Sequence, residues 1–216
     1  MRGLMEKDLR LIFTRKQTVL VFIVMALIMG MSMDGSFVIG YLTMLATIVA
    51  IGTVSYDEYD NGFAFLMTLP FDRKTYVREK YLFCLIMATA MWCIGAVLYF
   101  AINTFRGIPS DLSELPLLVS IIPTIYLSAA IMIPLQLKYG SEKSRIVLFI
   151  IFGIFAILII AAKNVVGDSD IPFIKLEEFL DGLSPAIILL TLAGISALIS
   201  FISYLCSVRI MENKEF

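Results

Sequence analysis

Histidine is absent from the 216 residues, and with it go the commonest metal ligand and the commonest general base. Charge is scarce, at 16% of the chain; the net charge of −1 says little about nucleic acid, but the clustered basic face that nucleic acid requires is not present. No H-E-x-x-H, no serine with a histidine partner and no P-loop occurs, so the chain carries no Walker site for ATP hydrolysis. Cysteine is limited to Cys84, Cys93 and Cys206, each inside an apolar run. Cys84 and Cys93 are separated along one predicted helix by ~13.5 Å at 1.5 Å per residue, too far to bridge, and all three read as buried apolar side chains. Glu177-Glu178 resembles the paired glutamates of intramembrane proteases but has no histidine or metal-binding companion. The predicted span interiors offer Thr43, Thr47, Thr53, Ser55, Thr89, Ser128, Ser196 and Ser200 but no charge, which disfavours an ion-coupled carrier.

What fills the chain instead is apolar: 60% hydrophobic residues and a mean hydropathy of +0.93. Soluble domains contain about 45–50% apolar residues. A spanning helix needs roughly 17–25 mostly apolar residues, and the runs available predict an all-α integral membrane protein with six transmembrane helices. They fall at about 18–33, 36–56, 82–103, 115–137, 146–162 and 185–208, in a single membrane domain over 1–216. The basic N-terminus followed by an apolar run also fits a signal peptide, yet Met31-Ser32-Met33-Asp34 lacks a small-x-small cleavage pattern, and the segment is expected to be retained.

Residues 1–16 place Met5, Leu9, Ile12 and Phe13 at helical spacing among Arg2, Lys7, Arg10, Arg15 and Lys16, the pattern of a helix lying in the membrane interface. A tight turn at Asp34-Gly35 joins the first two spans. Gly107 and Pro109 mark a turn after the third, and a compact loop over Lys138 to Arg145 separates the fourth from the fifth. Pro123 and Pro134 predict bending of the fourth span, since each removes a backbone hydrogen bond. Ser184 and Pro185 predict an N-cap and a first helical position for the last span. On that span Ala193-x-x-x-Ala197 and Ser196-x-x-x-Ser200 would allow close helix approach.

Lysine and arginine are distributed unevenly between alternate sides. Five lie in the N-terminus, four in 57–80, three in 138–145 and two in the C-terminus, so that fourteen of the seventeen share one side. The positive-inside rule therefore predicts cytoplasmic termini, and an outer loop over 163–183 carrying Asp168, Asp170, Glu177, Glu178 and Asp181.

The charge-dense stretch from Asp57 to Lys80, DEYDNGFAFLMTLPFDRKTYVREK, lies between the second and third spans. Its charge keeps it out of hydrocarbon, and its aromatic residues Tyr59, Phe63, Phe65, Phe71 and Tyr76 suit it to meet a partner or the headgroups. Within it Glu58, Asn61, Gly62, Leu69, Pro70, Arg73 and Lys80 follow an order of acidic residue, small residue, Leu-Pro step and basic residue. That order, with the six-span topology and the N-terminal interfacial helix, resembles the permease subunits of type-two ABC exporters in their short form. Small Gram-positive exporters of amphipathic or antimicrobial peptides, the phenol-soluble-modulin exporter among them, are similar.

The resemblance implies a bacterial cell-membrane protein in which 57–80 forms a cytoplasmic coupling helix docking a separate ATPase subunit. It assigns docking to Glu58, Asp60, Asn61, Gly62, Phe63, Leu69, Pro70 and Arg73. It further implies two ATPases, a second permease copy or paralogue, ATP and Mg held by the ATPase with no cofactor in this chain, and an amphipathic peptide as cargo. The competing expectation is a non-transporting immunity or sensor protein that binds a peptide within the bilayer and needs no ATPase.

Overall fold

The computed structural model describes residues 1–14, 16–32, 35–59, 62–107, 115–166 and 183–214. These form α1 (Arg2–Thr14), α2 (Lys16–Ser32), α3 (Gly35–Glu58), the short α4 (Gly62–Leu66), α5 (Arg73–Arg106), α6 (Leu115–Val166) and α7 (Pro185–Glu212), with no strand among them. The turn at Asp34, the link at Pro109 and the acidic loop over 167–182 lie outside the described residues.

Among the described residues four helices are long and apolar enough to cross a membrane, or five if the pair α1 and α2, bent by 68°, is counted as one. The six expected crossings differ from this count for two local reasons. At 17 residues, α2 is short. The expected loop at 138–145 is helical, so residues 115–166 form one element, interrupted only by non-helical backbone at Gly140 (φ 80°, ψ 172°). Pro123 and Pro134 lie within helical backbone, so the break falls at neither proline.

α3 is central, packed on α5 and α6, while α7 packs on α6 and α5 and α2 leans on α3. The inward face of α3 combines short side chains, Ala46, Ala50, Thr43, Thr47 and Thr53, with the larger Val38, Ile39, Leu42, Ile51 and Val54, all buried. The three threonine hydroxyls donate to the carbonyls of Ile39, Thr43 and Ala50 within the same helix. The outer surface is apolar over long stretches: Phe149, Ile150, Ile151 and Phe152 on α6 and Leu198, Phe201 and Ile202 on α7 are exposed. Such a surface is stable in a lipid environment and not in water.

Both helix-boundary expectations for α7 hold, with Ser184 at the N-cap and Pro185 opening the helix, although the Ser184 side chain makes no capping bond. Gly107 closes α5 in the left-handed region. Cys84 is buried, whereas Cys93 and Cys206 are exposed, contrary to the expectation for those two: they sit on helix faces that no other described helix covers. The apolar spacing on α1 divides between two faces. Leu4, Asp8 and Ile12 point inward, while Leu9 and Phe13 remain exposed.

The link between the second and third long helices

The charge-dense stretch is mostly helix. Asp57 and Glu58 end α3, Arg73 to Lys80 form the first two turns of α5, and only the segment between them, containing α4, turns the chain. The third apolar run, expected from residue 82, thus continues a helix that starts at Arg73. The cause lies in Tyr76, Val77, Glu79 and Lys80, all buried, which give the charged start of α5 an inward face.

α4 is anchored by Phe63 and Leu66, three residues apart and both in the core. The Phe63 ring meets Tyr76 edge-on at 5.8 Å, and the Lys214 ammonium sits 4.7 Å from its centroid. After α4 the chain tightens through bonds from Met67 N–H to the Phe63 carbonyl (3.0 Å), Leu69 N–H to Leu66 (3.1 Å) and Phe71 N–H to Leu69 (2.8 Å). Pro70, lacking an N–H, fits between two donors, and Asp72 opens α5 in an extended conformation. Gly62 lies against α3: a Cβ there would come within 2.7 Å of the Asp57 carbonyl oxygen. With Phe63 and Leu66 turned inward, Phe65 (70% exposed), Leu69 (41%) and Tyr59 (75%) face out, together with Pro70.

Two further site residues, Glu58 and Arg73, are engaged within the chain. In an unbroken α6 the Ser141 N–H would pair with the Leu137 carbonyl. At the Gly140 break Ser141 N–H donates to Glu58 Oε2 at 2.8 Å, and the Leu137 carbonyl accepts from Lys214 Nζ at 3.0 Å. The Glu58 carboxylate thereby caps the N-terminus of the helix that restarts at Ser141, where negative charge is favoured. Arg73 Nη1 donates to the carbonyls of Met211 (3.0 Å), Glu212 (2.6 Å) and Lys214 (3.0 Å), satisfying the C-terminal end of α7. Lys74 Nζ adds an ion pair to Glu212 Oε1 at 3.3 Å. Asp60 and Asn61 lie outside the described residues.

Beneath the link lies a charge cluster that sequence reasoning missed. Lys80 Nζ pairs with Asp8, lies 2.8 Å from Asp57 Oδ2 and donates to Thr53 Oγ1 at 3.0 Å. Lys7 pairs with Asp57 and lies 3.1 Å from Asp8 Oδ1. The Tyr76 hydroxyl donates to Asp57 Oδ2 at 2.9 Å. Burial acts to lower the Lys7 pKa, but Asp57 foremost and then Asp8 outweigh it and raise the value above that of an ordinary lysine. Asp8, Glu79 and Lys80 are essentially inaccessible, and neither Glu79 carboxyl oxygen has a hydrogen-bond partner among the described residues; Lys80 Nζ is 4.0 Å away. A sequence signal for Asp8 did exist, since a lone acid sits midway between Leu4 and Ile12 on an apolar face.

Among the described residues no group of three or more His, Cys, Asp or Glu could hold a metal ion. The link thus carries an exposed apolar strip on a short segment whose base is tied to α1, α3, α6 and α7.

An all-helical, multi-pass architecture with an apolar outer surface defines a helical membrane protein. Compared with known families, residues 3–212 match the ABC-2 family transporter protein, and the chain belongs to that family. It is therefore the membrane-spanning, permease component of an ABC transporter rather than its ATPase, and membership implies association with an ATP-binding subunit. Comparisons with curated proteins and with solved structures give no match.

Proposed function

We propose that this permease exports amphipathic or antimicrobial peptides, crosses the membrane six times with both termini cytoplasmic, and receives its ATPase on the link between α3 and α5. In this reading α2 is one crossing, the two parts of α6 on either side of Gly140 are separate crossings, and α1 lies in the interface as an elbow. A second permease copy covers part of the exposed apolar surface, and each permease engages one ATPase.

The observation that carries the reading is the division of labour within the link. Phe65, Leu69 and Tyr59 face outward, while Glu58 and Arg73 connect the same segment to the α6 break and to the end of α7. A push on the outward strip would reach both elements through hydrogen bonds and not through a flexible tether. Docking on this surface rests on Phe65 and Leu69 more than on Phe63, which packs inward. A peptide cargo suits a membrane domain whose exposed surfaces are apolar and whose described interior holds its charges in one cluster.

The test is affinity purification from the native membrane in mild detergent, comparing wild type with Phe65→Asp and Leu69→Asp. An ATP-binding subunit should accompany the wild type in equal amount, and each variant should lose it by at least tenfold with an unchanged melting temperature. The recovered complex should hydrolyse ATP faster when an amphipathic cationic peptide is added. If the wild type purifies without an ATPase, or both variants keep it, the docking surface is wrong.

A further inference from the structure

A cleft of about 680 Å³ opens between α5, α6 and α7. Its volume is in the range of small-ligand sites, roughly 300–1,000 Å³. Small side chains create it: Ala129 and Ala130 on α6 face Ala193, Ser196, Ala197 and Ser200 on α7. The small-residue spacing on α7 also lines the cleft, with Ser196 buried. Arg78 is the charged residue among otherwise uncharged, mainly apolar walls. It is exposed, and it makes no ion pair or hydrogen bond among the described residues.

We propose that this cleft binds an anionic phospholipid, with one acyl chain between the helices and the phosphate on the Arg78 guanidinium. Length supports the fit. The lining runs from 193 to 204 on α7 and from 122 to 133 on α6, which at 1.5 Å per residue is ~16 Å. Half of a ~30 Å hydrocarbon core is about the same. Depth supports it as well, because Arg78 lies in the second turn of α5, near the end that carries Arg73 and Lys74, where a headgroup would sit. In the proposed orientation that end faces the cytoplasmic leaflet, which holds anionic lipid. Charge complementarity decides between lipids: an unpaired guanidinium at the mouth of an apolar slot gains a bidentate partner from a phosphate. A zwitterionic headgroup offers the same phosphate with its charge offset by the adjacent cation.

The purified full-length chain, with any subunit that accompanies it, is incubated with phosphatidylglycerol or phosphatidylcholine, and retained lipid is counted by native mass spectrometry. Wild type should retain phosphatidylglycerol at least about fivefold better, the ratio expected for ~1 kcal/mol per basic residue near a surface. Arg78→Gln, which breaks no ion pair or hydrogen bond among the described residues, should bring the two lipids to parity at an unchanged melting temperature. Ala197→Phe should abolish retention of both by filling the slot. Excess inorganic phosphate should not displace the lipid, because it has no chain to bury. A lipid preference surviving in Arg78→Gln, retention surviving in Ala197→Phe, displacement by phosphate alone, or occupation by an amphipathic peptide in place of lipid would each overturn the assignment.

Discussion

Lys80 and Glu79 are neighbours in sequence with opposite roles. Lys80 offsets Asp8 and Asp57 inside the protein, so Lys80→Met leaves two buried carboxylates with Lys7 as their one remaining cation among the described residues and should cost about 3 kcal/mol. Asp8→Asn should also destabilise, and the double variant should lose less than the two single losses added together, because both remove the same pair. Glu79 differs because its carboxyl oxygens are buried without a hydrogen-bond partner among the described residues. Glu79→Gln removes a desolvated charge and should be neutral or stabilising. Thermal melting of the four variants in one detergent checks the set, and a Glu79→Gln loss as large as that of Lys80→Met would remove the distinction. Gly62 belongs to the same layer: a Cβ there presses on the Asp57 carbonyl, so any substitution at Gly62 disturbs the cluster and does not isolate docking.

Among the elements, α6 shows how a break is made stable. Gly140 adopts φ 80°, which side chains other than glycine rarely accept, and a Cβ would also meet the Glu58 carboxylate. Gly140→Ala should cost about 1–3 kcal/mol and speed amide exchange at Ser141 and the residues after it. At the other end of the link, Arg73→Ala deprives α7 of three acceptor contacts, and exchange should rise at the last turn of α7 while the middle of that helix stays protected. Hydrogen-exchange mass spectrometry resolves both, and uniform exchange along either helix would show that the caps do not act locally. Neither device could be read from a helical pattern, since Glu58 and Ser141 lie 83 residues apart.

At the scale of the molecule, the described residues gather their buried charges beneath the link and leave apolar surface along the long helices. Cys84 is buried while Cys93 and Cys206 are exposed, so maleimide added to the detergent-solubilised chain should label the latter two and spare Cys84. Labelling of all three at equal rates would mean that α5 is not packed as described. If the chain crosses six times with the basic side inward, tags at either terminus should be reached by protease only from the cytoplasmic face.

Membrane residence, all-helical structure and the place of the turning segment were legible from composition and hydropathy, because a lipid environment forces each apolar run to satisfy its own backbone. Those are local properties, and a chain carries them before it folds. The fate of individual charges was not legible. Lys80 counts in sequence as one more surface cation, yet it is buried against Asp8, 72 positions away. Glu58 and Arg73 likewise look free to meet a partner, and their hydrogen bonds run to α6 and α7. Which charges face water, and which residues of the link face outward, depended on how α1, α3, α5, α6 and α7 pack, because pairing between distant side chains is settled only when their helices come together.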